Sequence, residues 1–203
     1  MMFRLALMSS ALVGLLALTG VSQAHELRPA VADVTVTKLK VKIELLLTVE
    51  TLLAGIDLTE VINTDDAPQA KIYDQLRSLT DVALADLVRK EWPLLASGFL
   101  VKGGGSLKLN NIEVIPETNL DLPRDTMLTI STDLPMGDHP VALGWIAQNG
   151  GLVVRHGVGD DAYAAFLDGG ELSAPLPRDG SVDESKVFVF LRFVVEGFEH
   201  IIP

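Results

Sequence analysis

The stretch LKVKIELLLTVE, residues 39–50, decides the fold because its apolar and polar residues alternate. The apolar side chains occupy the odd positions, which are Leu39, Val41, Ile43, Leu45, Leu47 and Val49. The even positions are polar, at Lys40, Lys42, Glu44, Thr48 and Glu50, and Leu46 is the exception. A period of two is typical of a β-strand with one buried face and one face in water. The pattern therefore predicts such a strand, with Glu50 on its wet face.

Other segments of the chain also have the composition of strands. Residues 30–37 are rich in valine, and residues 106–116 and 125–135 alternate before each stops at a proline. Residues 141–158, VALGWIAQNGGLVVRHGV, predict a hairpin that turns at Asn149-Gly150-Gly151, because these residues suit positive φ. Residues 160–185 are polar and rich in Gly and Pro, which predicts a loop and linker.

Residues 68–100 change to a helical period. Ile72, Leu76 and Leu79 are spaced by three or four, and Thr80 or Asp81 can cap a second helix. That second helix is expected to end near Trp92-Pro93. The fold class predicted for residues 25–180 is therefore mainly β: an antiparallel, sandwich-like domain with a helical insertion at about 68–100.

The two termini are the most apolar parts of the chain. Residues 1–24 combine Arg4, an apolar stretch at 11–18 and small residues at Ser22 and Ala24, which predicts a signal peptide cleaved before His25. Residues 181–203 are predicted to be a linker and the start of a first membrane helix. In KVFVFLRFVVEGFEHIIP, residues 186–203, a helix would place its polar side chains on one narrow face. A buried strand remains the other interpretation of residues 187–195.

Composition excludes several classes of function. The net charge of −11 disfavours nucleic-acid binding, and the absence of cysteine excludes disulfides, thiolate metal sites and cysteine nucleophiles. The glycines at 103–105 are not followed by the lysine of a phosphate-binding loop, and there is no G-x-S-x-G nucleophile motif. We therefore expect a protein that is not an enzyme.

Candidate metal ligands are few. After cleavage behind Ala24, the α-amine and imidazole of His25 could chelate Cu(II) or Ni(II), which favour nitrogen ligands; the alternative is an N-terminus that merely begins with histidine. His139 and His156 are expected to be surface residues. The acidic pairs Asp65-Asp66 and 160–161 are expected to be solvated turns rather than cation sites.

Three further stretches are AHELRPAVADV at 24–34, ETLLAGID at 50–57 and GFEHIIP at 197–203. Together they resemble the HupE/UreJ-type family of bacterial membrane proteins, in the branch with an extracytoplasmic N-terminal domain. In that family a G-F-x-H-I stretch introduces the first of several membrane helices, and His200 matches its histidine. The family's Asp-His pair would lie beyond Pro203.

The resemblance implies a polytopic protein of the cell membrane, with residues 25 to about 185 on the periplasmic side and the C-terminal segment in contact with the membrane. It also implies a link to the uptake of nickel or another metal ion, with His200 as a candidate ligand beside His25. The alternative function is a free periplasmic binding module or metal chaperone that uses His25.

Overall fold

A computed structural model describes residues 28–61, 63–120, 122–157 and 162–178. The predicted signal peptide at 1–24, the predicted linker and membrane segment at 181–203, and both candidate metal ligands, His25 and His200, lie outside these residues.

The described residues form eight strands, three α-helices and two short 3₁₀ turns. The strands are β1 (Ala30–Val36), β2 (Lys40–Leu47), β3 (Phe99–Lys102), β4 (Lys108–Val114), β5 (Thr126–Asp133), β6 (Ala142–Trp145), β7 (Leu152–His156) and β8 (Tyr163–Leu167). The helices are α1 (Val49–Ala54), α2 (Ala70–Arg77) and α3 (Asp81–Ser97), and the 3₁₀ turns are Thr64–Asp66 and Ala147–Asn149.

Six strands form one mixed sheet in the order β4-β5-β2-β1-β7-β8, and β3 pairs with β6 in a second sheet of two strands. The prediction of a mainly β fold is confirmed. The prediction of an antiparallel architecture is wrong at one place, because β1 and β7 pair in parallel, with Ala32 opposite Val154. A tight turn joins β1 to β2, so β2 occupies one edge of β1. The other edge pairs with β7, which comes much later in the chain and runs in the same direction as β1.

The alternation of β2 is confirmed. Its residues Val41, Ile43, Leu45 and Leu47 are buried, and the residues between them are more exposed. The strand ends at Leu47, so the alternation does not extend through residue 50. The chain turns there into α1, and this change of direction decides the position of Glu50.

The predicted hairpin at residues 141–158 is wrong. Its first half, β6, pairs with β3, whereas its second half, β7, pairs with β1 and β8. A 3₁₀ turn and Gly150, with φ of 73°, carry the chain from one sheet to the other. A Cβ at Gly150 would lie 2.8 Å from Cβ of Leu58, so the glycine permits both the turn and this close packing. The indole N–H of Trp145 donates to the Gly150 carbonyl at 2.8 Å and holds the crossing.

The predicted loop and linker at 160–185 is wrong at residues 163–167 and is confirmed at residues 168–178, which form turns and isolated bridges. Residues 163–167 form β8, and the following segment runs beside β6 with bridges at Leu172 and Leu176. Leu176 is 1% exposed, so this segment contributes to the core. Its glycines and prolines are typical of a loop, so the sequence does not indicate that Leu176 is buried.

The predicted helical insertion is confirmed as α2 and α3. The Thr80 hydroxyl accepts a hydrogen bond from the Ala83 N–H and caps α3, as the sequence indicates. The predicted end near Trp92-Pro93 is wrong, because α3 continues through Pro93 to Ser97. Pro93 is exposed, so water can hydrogen-bond the carbonyl that its missing N–H leaves open.

One core joins these parts. Buried side chains of the six-stranded sheet, of β6 and of α3 belong to a single cluster, which includes Ile43, Leu84 and Leu143. A smaller cluster lies under α1 and α2 and includes Ile56 and Tyr73. The helical insertion therefore contacts the sheet through α3 and has a small apolar core of its own.

Truncating two neighbouring leucines of β2 tests the register of the sheet. Leu45 is buried and Leu46 lies on the opposite, half-buried face, so both changes remove the same atoms from different surroundings. We expect Leu45→Ala to lower the free energy of unfolding by about 2–5 kcal/mol, and Leu46→Ala to lower it by less than half as much. Urea unfolding measures both. Equal losses would contradict the register, since a slip by one residue exchanges the two faces.

Candidate functional site

A buried carboxylate lies where β2 passes into α1. Glu50 occupies the first turn of α1 and is 0% exposed, which corrects the expectation that it lies on a wet strand face. The helix begins at Val49, directly after the strand, and this turn brings Glu50 inside the protein. A buried carboxylate requires charged or hydrogen-bonding partners, because burial removes its hydration.

Arg124, in the segment before β5, is the closest of these partners. Its Nε donates to Oε1 of Glu50 at 2.9 Å, and both side chains are almost fully buried. Its Nη1 donates to the Leu79 carbonyl at 2.8 Å and to Asp81 at 3.1 Å, and its Nη2 donates to the Leu76 carbonyl at 3.1 Å. Arg124 thus joins α1 to the end of α2 and the start of α3.

Arg77, the last residue of α2, is the second cation. Its Nη1 lies 3.6 Å from Oε1 of Glu50, and its Nη2 donates to the carbonyls of Asn119 and Leu122 at 3.0 and 2.6 Å. We call Glu50, Arg77, Asp81 and Arg124 the charged cluster. It connects all three helices with the segment that leads into β5.

Burial and the charged cluster together shift the pKa of Glu50 and that of the neighbouring Tyr73. Burial raises the pKa of Glu50, and a backbone hydrogen bond, Arg124 and Arg77 act in the opposite direction. Burial, with the negative charge of Glu50 added, raises the pKa of Tyr73 to about 12. Since Glu50, Arg77 and Arg124 are closed off from solvent, no substrate can reach them as the protein is folded. The cluster is therefore a buried link between helices and not an open binding site.

Two apolar grooves lie beside α1. The first has a volume of about 240 Å³ and runs between the start of β1, the Gly150–Gly151 backbone and Phe166. The second has a volume of about 410 Å³ and lies between α1, α3 and the Ala147–Asn149 turn. Leu52 and Asn149 line both, so the two grooves adjoin. Their walls combine apolar side chains with polar ones, such as Thr51 in the first groove and Glu91 and Gln148 in the second.

The histidines are not brought together. His139 is exposed, as expected. His156 is 7% exposed, which corrects the expectation that it is a surface residue: it lies on the inner face of β7, with its Nδ1 2.8 Å from the Val34 carbonyl oxygen. Within the residues that the structure describes, no group of three or more His, Cys, Asp or Glu side chains could hold a metal ion. Asp65 and Asp66 are exposed in a 3₁₀ turn, and the pair at 160–161 lies outside the described residues.

Comparison with known proteins yields neither a matching protein-family model nor a matching curated protein. The HupE/UreJ resemblance therefore stays a prediction.

The sequence analysis missed the charged cluster. Glu50 fits the alternation of β2, and Arg124 is 74 positions away in a segment that shows no periodicity. The one local signal is that the apolar run ends at Val49. Glu50 follows at once and lies in the first turn of α1.

Replacing two ion-paired arginines tests the charged cluster. We expect Arg124→Met to lower the free energy of unfolding by about 3–5 kcal/mol, because it leaves Glu50 buried without its closest cation. The matched control is Arg28→Met, which breaks the exposed pair between Arg28 and Asp125 and should cost less than about 1 kcal/mol. Chemical denaturation followed by circular dichroism measures both variants. A small loss in both would show that the charged cluster does not hold the helices.

Proposed function

We propose that residues 25–180 form the extracytoplasmic, non-catalytic N-terminal domain of a HupE/UreJ-type membrane protein. The observation that carries the proposal is where the folded part begins and ends within the sequence. β1 starts at Ala30, five residues after the predicted mature N-terminus at His25, and the buried Leu176 precedes the apolar segment at 187–195. A folded domain with these bounds fits between a signal peptide and a membrane segment.

The internal construction of the domain supports this proposal. Its first and last described segments are both in the core: Ala30, Ala32 and Leu176 are buried in one cluster. Both ends of the described part of the chain are therefore anchored in the same core. The sandwich-like relation between the two sheets belongs to the same proposal, since β6 and the six-stranded sheet share that core.

The membrane contact is assigned to the C-terminal segment. Among the helices that the structure describes, none combines the length and the hydropathy needed to cross a bilayer. The proposed contact at 181–203 lies outside the described residues and rests on the sequence of that segment.

The metal part of the proposal concerns His25 and His200. The resemblance implies a link to the uptake of nickel or another metal ion, and His25 would add a copper or nickel site at the mature N-terminus. In this proposal the folded domain supports the membrane part and is not itself the place of transport.

Fractionation of the full chain expressed in a bacterium tests the membrane assignment. We expect the mature protein to lack residues 1–24 by mass and to stay with the membranes after an alkaline wash. Val195→Arg should release much of it, because Val195 is in the middle of the apolar segment at 187–203 and a charge at the centre of an inserted helix costs about 2.5–3.5 kcal/mol. Leu94→Arg, at an exposed position of α3, is the control and should change nothing. Recovery of the mature wild-type chain as a free periplasmic protein would contradict the proposal.

Titration of the cleaved protein with Cu(II) or Ni(II) tests the N-terminal metal site. We expect His25→Ala to weaken binding by about tenfold or more, since the loss of even a supporting residue has effects of that size at metal sites. His139→Ala, which changes an exposed histidine of the folded domain, should leave the affinity unchanged. Equal affinities of the wild type and His25→Ala would rule out this site.

A further inference from the structure

The two edge strands of the six-stranded sheet differ in how they are protected. β4 lies at one edge, exposes Lys108 and Glu113, and has an irregular register with β5 between Leu109 and Asn111. Charged side chains and bulges of this kind keep an edge strand from pairing with another chain. β8 lies at the other edge, and its sequence YAAFL contains neither a charged residue nor a proline. Its register with β7 is regular, so the β8 edge has none of these protections.

The backbone groups that β8 turns outward belong to Ala164 and Phe166. The Ala30 N–H donates to the Gly151 carbonyl, so the odd-numbered residues of β7 bond to β1. The even-numbered residues of β7 therefore bond to β8, and they lie opposite its odd-numbered residues. The N–H and C=O groups of Ala164 and Phe166 thus point away from the sheet. Among the described residues, neither has a backbone hydrogen-bond partner on that side.

The side chains of the same two residues are exposed. Phe166 is 59% exposed, and Ala164 is also an exposed residue. The ring of Phe166 packs against Gly151, because a Cβ on this glycine would lie 2.7 Å from it. The edge of β8 therefore presents one large and one small apolar side chain, each beside an outward N–H and C=O.

An antiparallel pair of two β8 strands, centred on Ala165, would use all of these groups. Two-fold symmetry places Phe166 of each copy opposite Ala164 of the other, so a large side chain meets a small one twice. Each copy then donates from both outward N–H groups and accepts at both outward carbonyls. Because β8 has no charged residue, no charge lies opposite its own copy within the strand. The edge is complementary to itself in size and in hydrogen bonding.

We propose that β8 is a dimer interface, at which a second copy of the chain pairs antiparallel and joins the two six-stranded sheets into one. An exposed sheet edge accepts an extended strand through main-chain hydrogen bonds, and the alternate side chains decide which strand fits. β8 has only five residues, so the contact is small and the dimer is reversible and depends on concentration. This inference goes beyond the proposed function and does not depend on it.

Acidic residues flank β8 and give the dimer a distinctive salt dependence. Asp168 follows the strand and is exposed, and Asp160 and Asp161 precede the strand in the sequence. Two-fold pairing brings the end of one strand beside the start of the other, so acidic residues of the two copies repel each other. Salt screens this repulsion and should strengthen the dimer. A partner strand with basic residues would instead bind more weakly at high salt.

Disulfide formation in single-cysteine variants of the full chain tests the interface, since the protein has no cysteine of its own. In the pair of strands, Ala165 faces its own copy with about 4.5 Å between the Cα atoms, a separation that a disulfide can span. Ala165→Cys should therefore form a disulfide-linked dimer under mild oxidation of the purified chain. Asn111→Cys is the control, because Asn111 is exposed on β4 at the other edge.

A mixture of two variants tests the register. Ala164→Cys and Phe166→Cys chains, one of them carrying a mass tag, are oxidised together and separately. We expect the mixed dimer to predominate, because residues 164 and 166 lie opposite each other in the proposed pair. A register shifted by one residue or more would favour a different combination.

Two further changes, each combined with Ala165→Cys, should weaken the dimer. Ala164→Pro removes one of the two outward N–H donors of each copy and leaves the ladder with β7 intact. We expect it to slow the initial rate of disulfide formation by about tenfold or more. Phe166→Glu removes the large apolar side chain and adds a like charge, and should have an effect of similar size. Asn111→Glu, on β4, should leave the rate unchanged.

Each outcome decides for or against the interface. Far-UV circular dichroism checks that the variants fold, and Phe166→Glu decides the matter if Ala164→Pro does not. Equal disulfide formation by Ala165→Cys and Asn111→Cys, or rates unaffected by Phe166→Glu, would overturn the proposal. An Ala165→Cys chain that stays monomeric at every concentration would show that β8 is left open or is covered by another strand. Weaker dimerisation at high salt would also contradict the pairing of two acidic copies.

Discussion

The guanidinium of Arg124 contacts the carboxylate of Glu50 at 2.9 Å inside the core, and the arrangement of the helices depends on this contact. A carboxylate without hydration is stable only beside cations and hydrogen-bond donors, so the position of α1 and that of the segment before β5 are coupled. Arg124 and Arg77 also bind carbonyls at the end of α2 and in the segment at 119–122, which no strand pairing would otherwise hold. The contacts around this carboxylate thereby link all three helices to the segment before β5.

The charged cluster lies at one end of the six-stranded sheet, where β2 passes into α1. It fixes α1 and α2 at the end where β2 stops, and there the apolar grooves and the acidic loop at 55–69 are found. Lys40 and Lys108, which begin β2 and β4, lie at the other end, about 23 Å away by the seven rises between Lys40 and Leu47.

Local sequence patterns predicted the positions of strands and helices better than they predicted which strands pair with each other. The alternation in β2, the spacing in α2 and α3 and the cap of α3 predicted these elements, because a single buried face gives a regular spacing of apolar residues in the sequence. The strand β8 was missed because only Leu167 of its residues is fully buried, and its Ala and Gly neighbours are typical of loops. The hairpin was wrong because Asn149-Gly150 permits a turn without deciding whether the strands on either side of it pair with each other or with strands elsewhere.

The sequence by itself determined that the chain is strand-rich, where its first two strands and its helical insertion lie, and that its charge is acidic with no cysteine. Each of these properties is carried by neighbouring residues or by composition. Only the tertiary structure decided that β1 and β7 run in parallel, that Glu50 and His156 are buried, and that β8 lies at an edge of the sheet. These properties join residues far apart in the chain, and their energies depend on burial and distance, which no local pattern records.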